Sequence, residues 1–176
     1  MRPKAWALLA SITSITLFTL PTTAEVSDTT LLIAARALSF LQHPLQGDVL
    51  VGIVYQPGNP QSALEARQLD AMMEDGFRAG TLVLRSRLIK LDELASSNVG
   101  LYFLTSDLGS AATALAQLNR SRHVPCITTD IAQVRDGNCA MGVRALPRVE
   151  ILVNRGAAAV SGMTFSAGFR VMITEL

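Results

Sequence analysis

The segment Asp48 to Tyr55 reads DVLVGIVY, a nearly continuous run of Val, Ile and Leu. A run of this kind has no polar face to turn to water, so it suits a strand covered on both sides, as in parallel sheets. The pattern returns along the chain. Thr81 to Ile89 (TLVLRSRLI) reads as a second strand, with Arg85 and Arg87 sharing one face, which suggests a partly exposed or edge position. Val99 to Thr105 (VGLYFLT) is again continuous, Val124 to Thr128 (VPCIT) is short, and Cys139 to Val143 and Val149 to Asn154 follow. Pro125 places the fourth run at a strand start or a sheet edge.

Helical segments separate these runs. Ser27 or Asp28 caps a helix whose Leu31, Leu32, Ala35, Leu38 and Leu41 recur at helical spacing, and Pro44 and Gly47 end it. Ser62 is expected to cap a helix running to about Gly76. Leu91 to Ser96 reads as a helical turn, and Ser110 as the cap of Ala111 to Arg120. Asp136, Gly137 and Asn138 form a turn signal. Ala157 to Leu176 mixes periods and is read as a helix with a broken start. Strands alternating with helices predict an α/β fold: a single three-layer domain with a largely parallel central sheet of about five or six strands flanked by helices.

Arg2 and Lys4, the apolar run from Ala5 to Leu20, Pro21 and the small residues Thr22 to Ala24 have the three-part form of a secretory signal peptide. Residues 1–24 are therefore read as an export signal and 25–176 as the working domain, placed in the periplasm. The run falls short of the roughly 18–20 apolar residues of a spanning helix. No later stretch qualifies, so no transmembrane segment is expected after cleavage. Cleavage after Ala24 leaves 152 of the 176 residues, enough for one domain with a real core. It leaves thirteen basic against fourteen acidic residues. A near-neutral balance gives no broad reason to bind nucleic acid.

Cys126 and Cys139 are the two cysteines. In an oxidising compartment an even pair is most simply a disulfide. His123 stands nearby, but one His and two Cys lack a fourth zinc ligand, and no metal is expected.

The search for catalytic chemistry finds no Gly-x-Ser-x-Gly elbow and no His-Glu-x-x-His helix, and His43 and His123 are the only histidines. The turn Tyr55 to Pro60 (YQPGNP) lacks the glycine pattern of a dinucleotide fold and the Lys-Ser/Thr of a phosphate loop. Its two prolines remove backbone donors. The expectation is a non-enzymatic protein without a cofactor. In open α/β sheets ligands bind beyond the carboxyl ends of the strands. Those ends carry Tyr55 and Gln56, then Thr105, Ser106 and Asp107, then Thr128, Thr129 and Asp130. These side chains suit a small polar ligand; they suit capping of the following helices as well. Arg144, Arg148 and Arg155 crowd the late strands, as an anion or partner site or as a solvated face.

Several stretches in order resemble the YfiR-like periplasmic proteins. These are the helix Leu31 to Pro44, the strand Val49 to Val54, and the basic strand Leu82 to Ile89 leading into Leu91 to Leu94. Val99 to Leu104, Val124 to Asp130, Asn138 to Val143 and Val149 to Asn154 follow, and Ala157 to Phe169 is similar to the family's helical ending. The likeness spans residues 31–173, and the ending at Asn154 is its most specific part. His43-Pro44 replaces the family's Trp-Pro, and Asp136 to Cys139 replaces a Gly-Gly turn. The resemblance implies a small inhibitor that binds the periplasmic domain of an inner-membrane signalling protein, a diguanylate cyclase, and thereby controls cyclic-di-GMP and biofilm behaviour. In such proteins the disulfide ties stability to redox state. Pro125 to Gly142 also resembles one lobe of an ABC-transporter substrate-binding protein, which implies a small-ligand binder, with a homodimer as one source of a second lobe.

Overall fold

The computed structural model describes residues 26–109 and 111–176. The signal-peptide reading and the expected Ser110 cap lie outside the described residues. The chain runs through α1 (Asp28–Leu38), β1 (Gly47–Tyr55), α2 (Pro60–Met73), β2 (Phe77–Ala79) and β3 (Leu82–Lys90). A 3-10 helix (Leu91–Ser96), β4 (Leu101–Leu104), α3 (Ala111–Arg122), β5 (Cys126–Thr128) and α4 (Ile131–Arg135) follow. The last elements are β6 (Met141–Arg144), β7 (Glu150–Val153), α5 (Arg155–Val160), α6 (Ala167–Arg170) and β8 (Thr174–Glu175). Among the described residues no helix is long and apolar enough to cross a membrane.

One sheet of eight strands carries the fold, in the order β2-β3-β1-β4-β5-β6-β7-β8. The five strands from β3 to β6 are parallel. β2 is antiparallel to β3, β7 is antiparallel to β6, and β8 returns parallel to β7. The α/β reading and the largely parallel sheet hold. The expected five or six strands become eight because β2 and β8 are three and two residues long. Such pieces have no periodicity of their own and exist only as pairs on an existing edge.

The apolar runs are covered on both sides, as their composition requires. Val49, Val51 and Ile53 of β1 and Leu101 and Phe103 of β4 point to one face, where α1 and α2 bury Leu31, Leu38, Leu69 and Met73. Val54, Tyr102 and Leu104 point to the other, against Leu94 of the 3-10 helix and Ala112 and Leu115 of α3. Each face hides side chains worth roughly 1.5–3 kcal/mol apiece. β2 pairs only with Leu82 to Leu84, so Arg85 to Lys90 form the sheet's margin on that side, and Arg85 and Arg87 are exposed there. Charged margins of this type discourage edge-to-edge association.

Three local expectations need correction, and one of two alternatives is decided. Ser62 does not cap α2. Asn59 does, accepting hydrogen bonds from the backbone N–H of Gln61 and Ser62, while Pro60 opens the helix. Of the two places allowed for Pro125, a strand start or an edge, the structure decides for the start: it directly precedes β5, which is central. The strand expected from Cys139 begins at Met141. The ending expected as one helix is α5, α6 and β8, because Gly162 takes φ +76° and breaks the chain after α5.

Candidate functional site

β1 connects to β3 on one side, and β3 returns through the 3-10 helix to β4 on the other side of β1. This reversal places a topological switch point between β1 and β4, where doubly wound folds open a crevice. Here side chains fill that point. The Gln56 N–H donates to Ser62 Oγ at 2.9 Å, and Ser62 Oγ lies 2.6 Å from Thr105 Oγ1. Thr105 Oγ1 donates to the Val54 carbonyl at 3.0 Å, so Ser62 must be the donor to Thr105. Asn59 Nδ2 adds a bond to the Asp107 carbonyl at 3.1 Å. Gln56 and Thr105 thus close the switch point through Ser62, and neither they nor Tyr55 line the neighbouring cleft.

The cleft lies over the ends of β4, β5 and β6. It has a volume of about 360 Å³ and is lined by Ser106, Asp107, Thr129, Asp130, Arg135 and Arg144, with Ile131 and Ala132. Of the ten side chains singled out in the sequence, five meet here: Ser106, Asp107, Thr129, Asp130 and Arg144. Both expected roles coexist at Asp130, which lines the cleft and caps α4 by accepting the Ala132 N–H at 2.9 Å. Arg144 pairs with Glu150 at 3.4 Å. The three late arginines do not form one group. Arg144 pairs in register with Glu150, whereas Arg155 follows Val153, which faces Met141 at the start of β6. Because β7 is antiparallel, Arg155 lies at the opposite end of the sheet, where its Nε donates to the Leu176 carbonyl. Arg148 is exposed on the connection between β6 and β7.

Two residues of this site were not among the sequence candidates. Glu65 lies on the inward stripe of α2 with Ser62, Ala66, Leu69 and Met73, and is 2% exposed. Its Oε2 accepts the Ser106 N–H and the Ser106 hydroxyl, both at 2.7 Å, and its Oε1 accepts the Thr129 hydroxyl at 2.6 Å. Burial raises the pKa of this carboxyl above the ordinary value; the Ser106 and Thr129 donors oppose that rise and the nearby Asp130 charge adds to it. The signal available in the sequence was its spacing: Glu65 falls three residues after Ser62 and four before Leu69, where an inward apolar residue belongs. Gln133, 5% exposed, donates from Nε2 to the Thr105 carbonyl at 2.8 Å and to Asp130 Oδ2 at 3.3 Å. Its helix α4 was unseen because five residues are too few for a periodic signal.

The unit β5–α4–β6 that carries one wall of the cleft is tied at its other end. Cys126 and Cys139 form a disulfide with Cα atoms 5.3 Å apart, both side chains buried among those of α3 and β4. The His123 ring turns away from it, its Nδ1 2.6 Å from the Val160 carbonyl oxygen. Asn154 clamps the same unit from β7: its Nδ2 donates to the Val134 carbonyl at 3.1 Å while its Oδ1 caps α5. α4 approaches the sheet over Gly142, where a Cβ would stand 2.8 Å from Ile131 Cδ1 and from Val134 Cγ2.

No protein-family model matches the chain. No curated protein matches it either. Solved structures do. A ligand-free, open substrate-binding protein with adhesive properties from Clostridium difficile superposes with a TM-score of 0.58 at 12% identity, over 85% of this chain and 59% of its own. A conserved domain protein from Vibrio cholerae gives 0.57 at 12% identity over 84% and 59%. An ABC domain in complex with L-Trp from Streptococcus pneumoniae gives 0.56 at 14% identity over 80% and 59%. The chain thus spans about three-fifths of the length of these proteins. At such identities the likeness establishes the fold, a mostly parallel α/β sheet of the kind found in substrate-binding proteins.

Proposed function

We propose that this chain is a non-enzymatic periplasmic binding domain whose cleft at the carboxyl ends of β4, β5 and β6 takes a small polar molecule. One observation carries the reading: polar and charged side chains from three separate connections line a single cleft of about 360 Å³, a volume suited to a small ligand. The lining carries both signs, Asp107 and Asp130 against Arg135 and Arg144. A ligand with both a cationic and an anionic group matches that arrangement. The fold shared with a substrate-binding protein, and with an ABC domain in complex with L-Trp, supports it. The test is calorimetric titration of the exported protein with a panel of zwitterionic, anionic and cationic small molecules. Binding by a zwitterion that Arg144→Ala and Asp130→Ala each weaken is the expected result. Heats that both substitutions leave unchanged would place the ligand elsewhere.

A second reading is favoured by the connection between β6 and β7. Leu146 is 76% exposed and Val149 is 60% exposed, and they follow Arg144 at the cleft. Exposed apolar side chains beside a polar rim suit a protein partner. The resemblance to YfiR-like proteins names its class: the periplasmic domain of an inner-membrane diguanylate cyclase, held inactive by this chain. Cross-linking from an introduced cysteine at position 146 should recover such a cyclase, and Leu146→Asp with Val149→Asp should release its activity. Unchanged cyclase output from that double variant would remove this reading.

A further inference from the structure

Glu65 occupies an inward position on α2 and, among the described residues, forms no ion pair there. Its hydrogen-bond donors are the Ser106 N–H, the Ser106 hydroxyl and the Thr129 hydroxyl. A carboxylate only accepts, and each hydroxyl has a single proton to give. Ser106 and Thr129 therefore both direct their protons inward to Glu65, although both also line the cleft. What they retain for the cleft is oxygen lone pairs. Asp107 and Asp130, the next residues on the same two connections, add carboxylate oxygens to that wall. One oxygen of Asp130 caps α4 and the other accepts from Gln133, so neither is a donor. Arg135 and Arg144 supply the donors of the remaining lining.

We propose that Glu65 is a specificity-determining residue of the cleft, acting through Ser106 and Thr129. By taking both hydroxyl protons it makes their wall acceptor-only, and that wall selects a primary ammonium group. The inference rests on the ligand-binding reading of the cleft and names the part of the ligand that faces β4 and β5. The titratable groups on the connections packed against Glu65 are carboxyls, Asp107 beside Ser106 and Asp130 beside Thr129, and Asp130 acts on Glu65 directly. Protonating Glu65 converts it from acceptor to donor. One of the two hydroxyls must then reverse, and its proton turns to the cleft. The wall loses its preference for a cation as pH falls.

The experiment is a chemical-shift titration of the exported protein with methylammonium chloride and, separately, sodium acetate. In the wild-type chain at neutral pH, methylammonium should move the Ser106, Thr129 and Asp130 amides and acetate should leave that wall unmoved. Glu65→Gln keeps the shape but carries an NH₂ donor. It should weaken methylammonium roughly fivefold, the loss expected when one acceptor is turned away, and let acetate register at Ser106 or Thr129. A mutation-free arm uses the Ser106 amide proton, which reports the charge of Glu65 because it donates to it. The ammonium preference should disappear along that proton's own titration. Equal preferences in the wild type and Glu65→Gln, or a preference constant through the Ser106 titration, would overturn the role of Glu65 while leaving binding in the cleft intact. No response to either probe in either protein would overturn the binding reading itself, and this inference with it.

Discussion

The disulfide offers the sharpest test of how the cleft wall is held. Cys126 and Cys139 are thirteen residues apart and close a loop that contains Asp130 and all of α4, with Gln133 and Arg135. Cross-linking a loop of this size removes chain entropy from the unfolded state worth about 3 kcal/mol at 25 °C. The Cα separation of 5.3 Å lies within the usual range for a disulfide. For a domain of this length the loss corresponds to a fall in Tm of roughly 6–12 °C. The assay is urea unfolding of the purified protein, followed by circular dichroism, with and without reductant. Reduced protein keeps both thiols in the core, so the comparison isolates the cross-link from the loss of buried side chains. Both cysteines are at most 2% exposed, so reduction should proceed only through opening of the fold. Hydrogen exchange should then quicken most in α4. Coincident unfolding midpoints, a difference below about 1 kcal/mol, would refute the loop-entropy reasoning. Two thiols alkylated without prior reduction would refute the bond.

Two further outcomes follow from single contacts. Gly142→Ala places a methyl group 2.8 Å from Ile131 Cδ1 and Val134 Cγ2; the Ile131 end can rotate but the β-branched Val134 is stiff at χ1, so the substitution should cost about 1–3 kcal/mol in urea unfolding; an unchanged midpoint would show that α4 moves freely off the sheet. The burial-raised pKa of Glu65 means that the folded state binds its proton more tightly than the unfolded chain. Its contribution to stability is full below the unfolded value near 4.5 and is lost as pH rises through the folded value. Wild type should therefore lose stability relative to Glu65→Gln over that rise. Parallel pH–stability curves for the two proteins would contradict the raised pKa.

Much of the scaffold is legible along the chain because its signals are local. DVLVGIVY has to be covered on both faces whatever surrounds it, and Ser27 caps α1 through Thr30, three residues away. The same holds for the cysteine pair, where an even count of two suggests the one bond that the fold then closes. The strand ends pointed to Ser106, Asp107, Thr129 and Asp130 for the same reason: polar residues directly after apolar runs. Gln56 and Thr105 carry an equal signal, yet they close the switch point, because which strand end stays open depends on Ser62 and Asn59 from α2 reaching across. Arg144 and Arg155 are close in sequence but sit at opposite ends of the sheet, since an antiparallel return reverses the direction between them.

By itself the sequence determined the class of fold, the order of its main elements and the residues able to form a polar site. The tertiary structure decided where the cleft opens and which protons its wall presents. Glu65 shows why. Its contacts with Ser106 and Thr129 span 41 and 64 residues, and hydrogen-bond polarity arises only when donors and acceptors brought from such distances share one buried carboxylate.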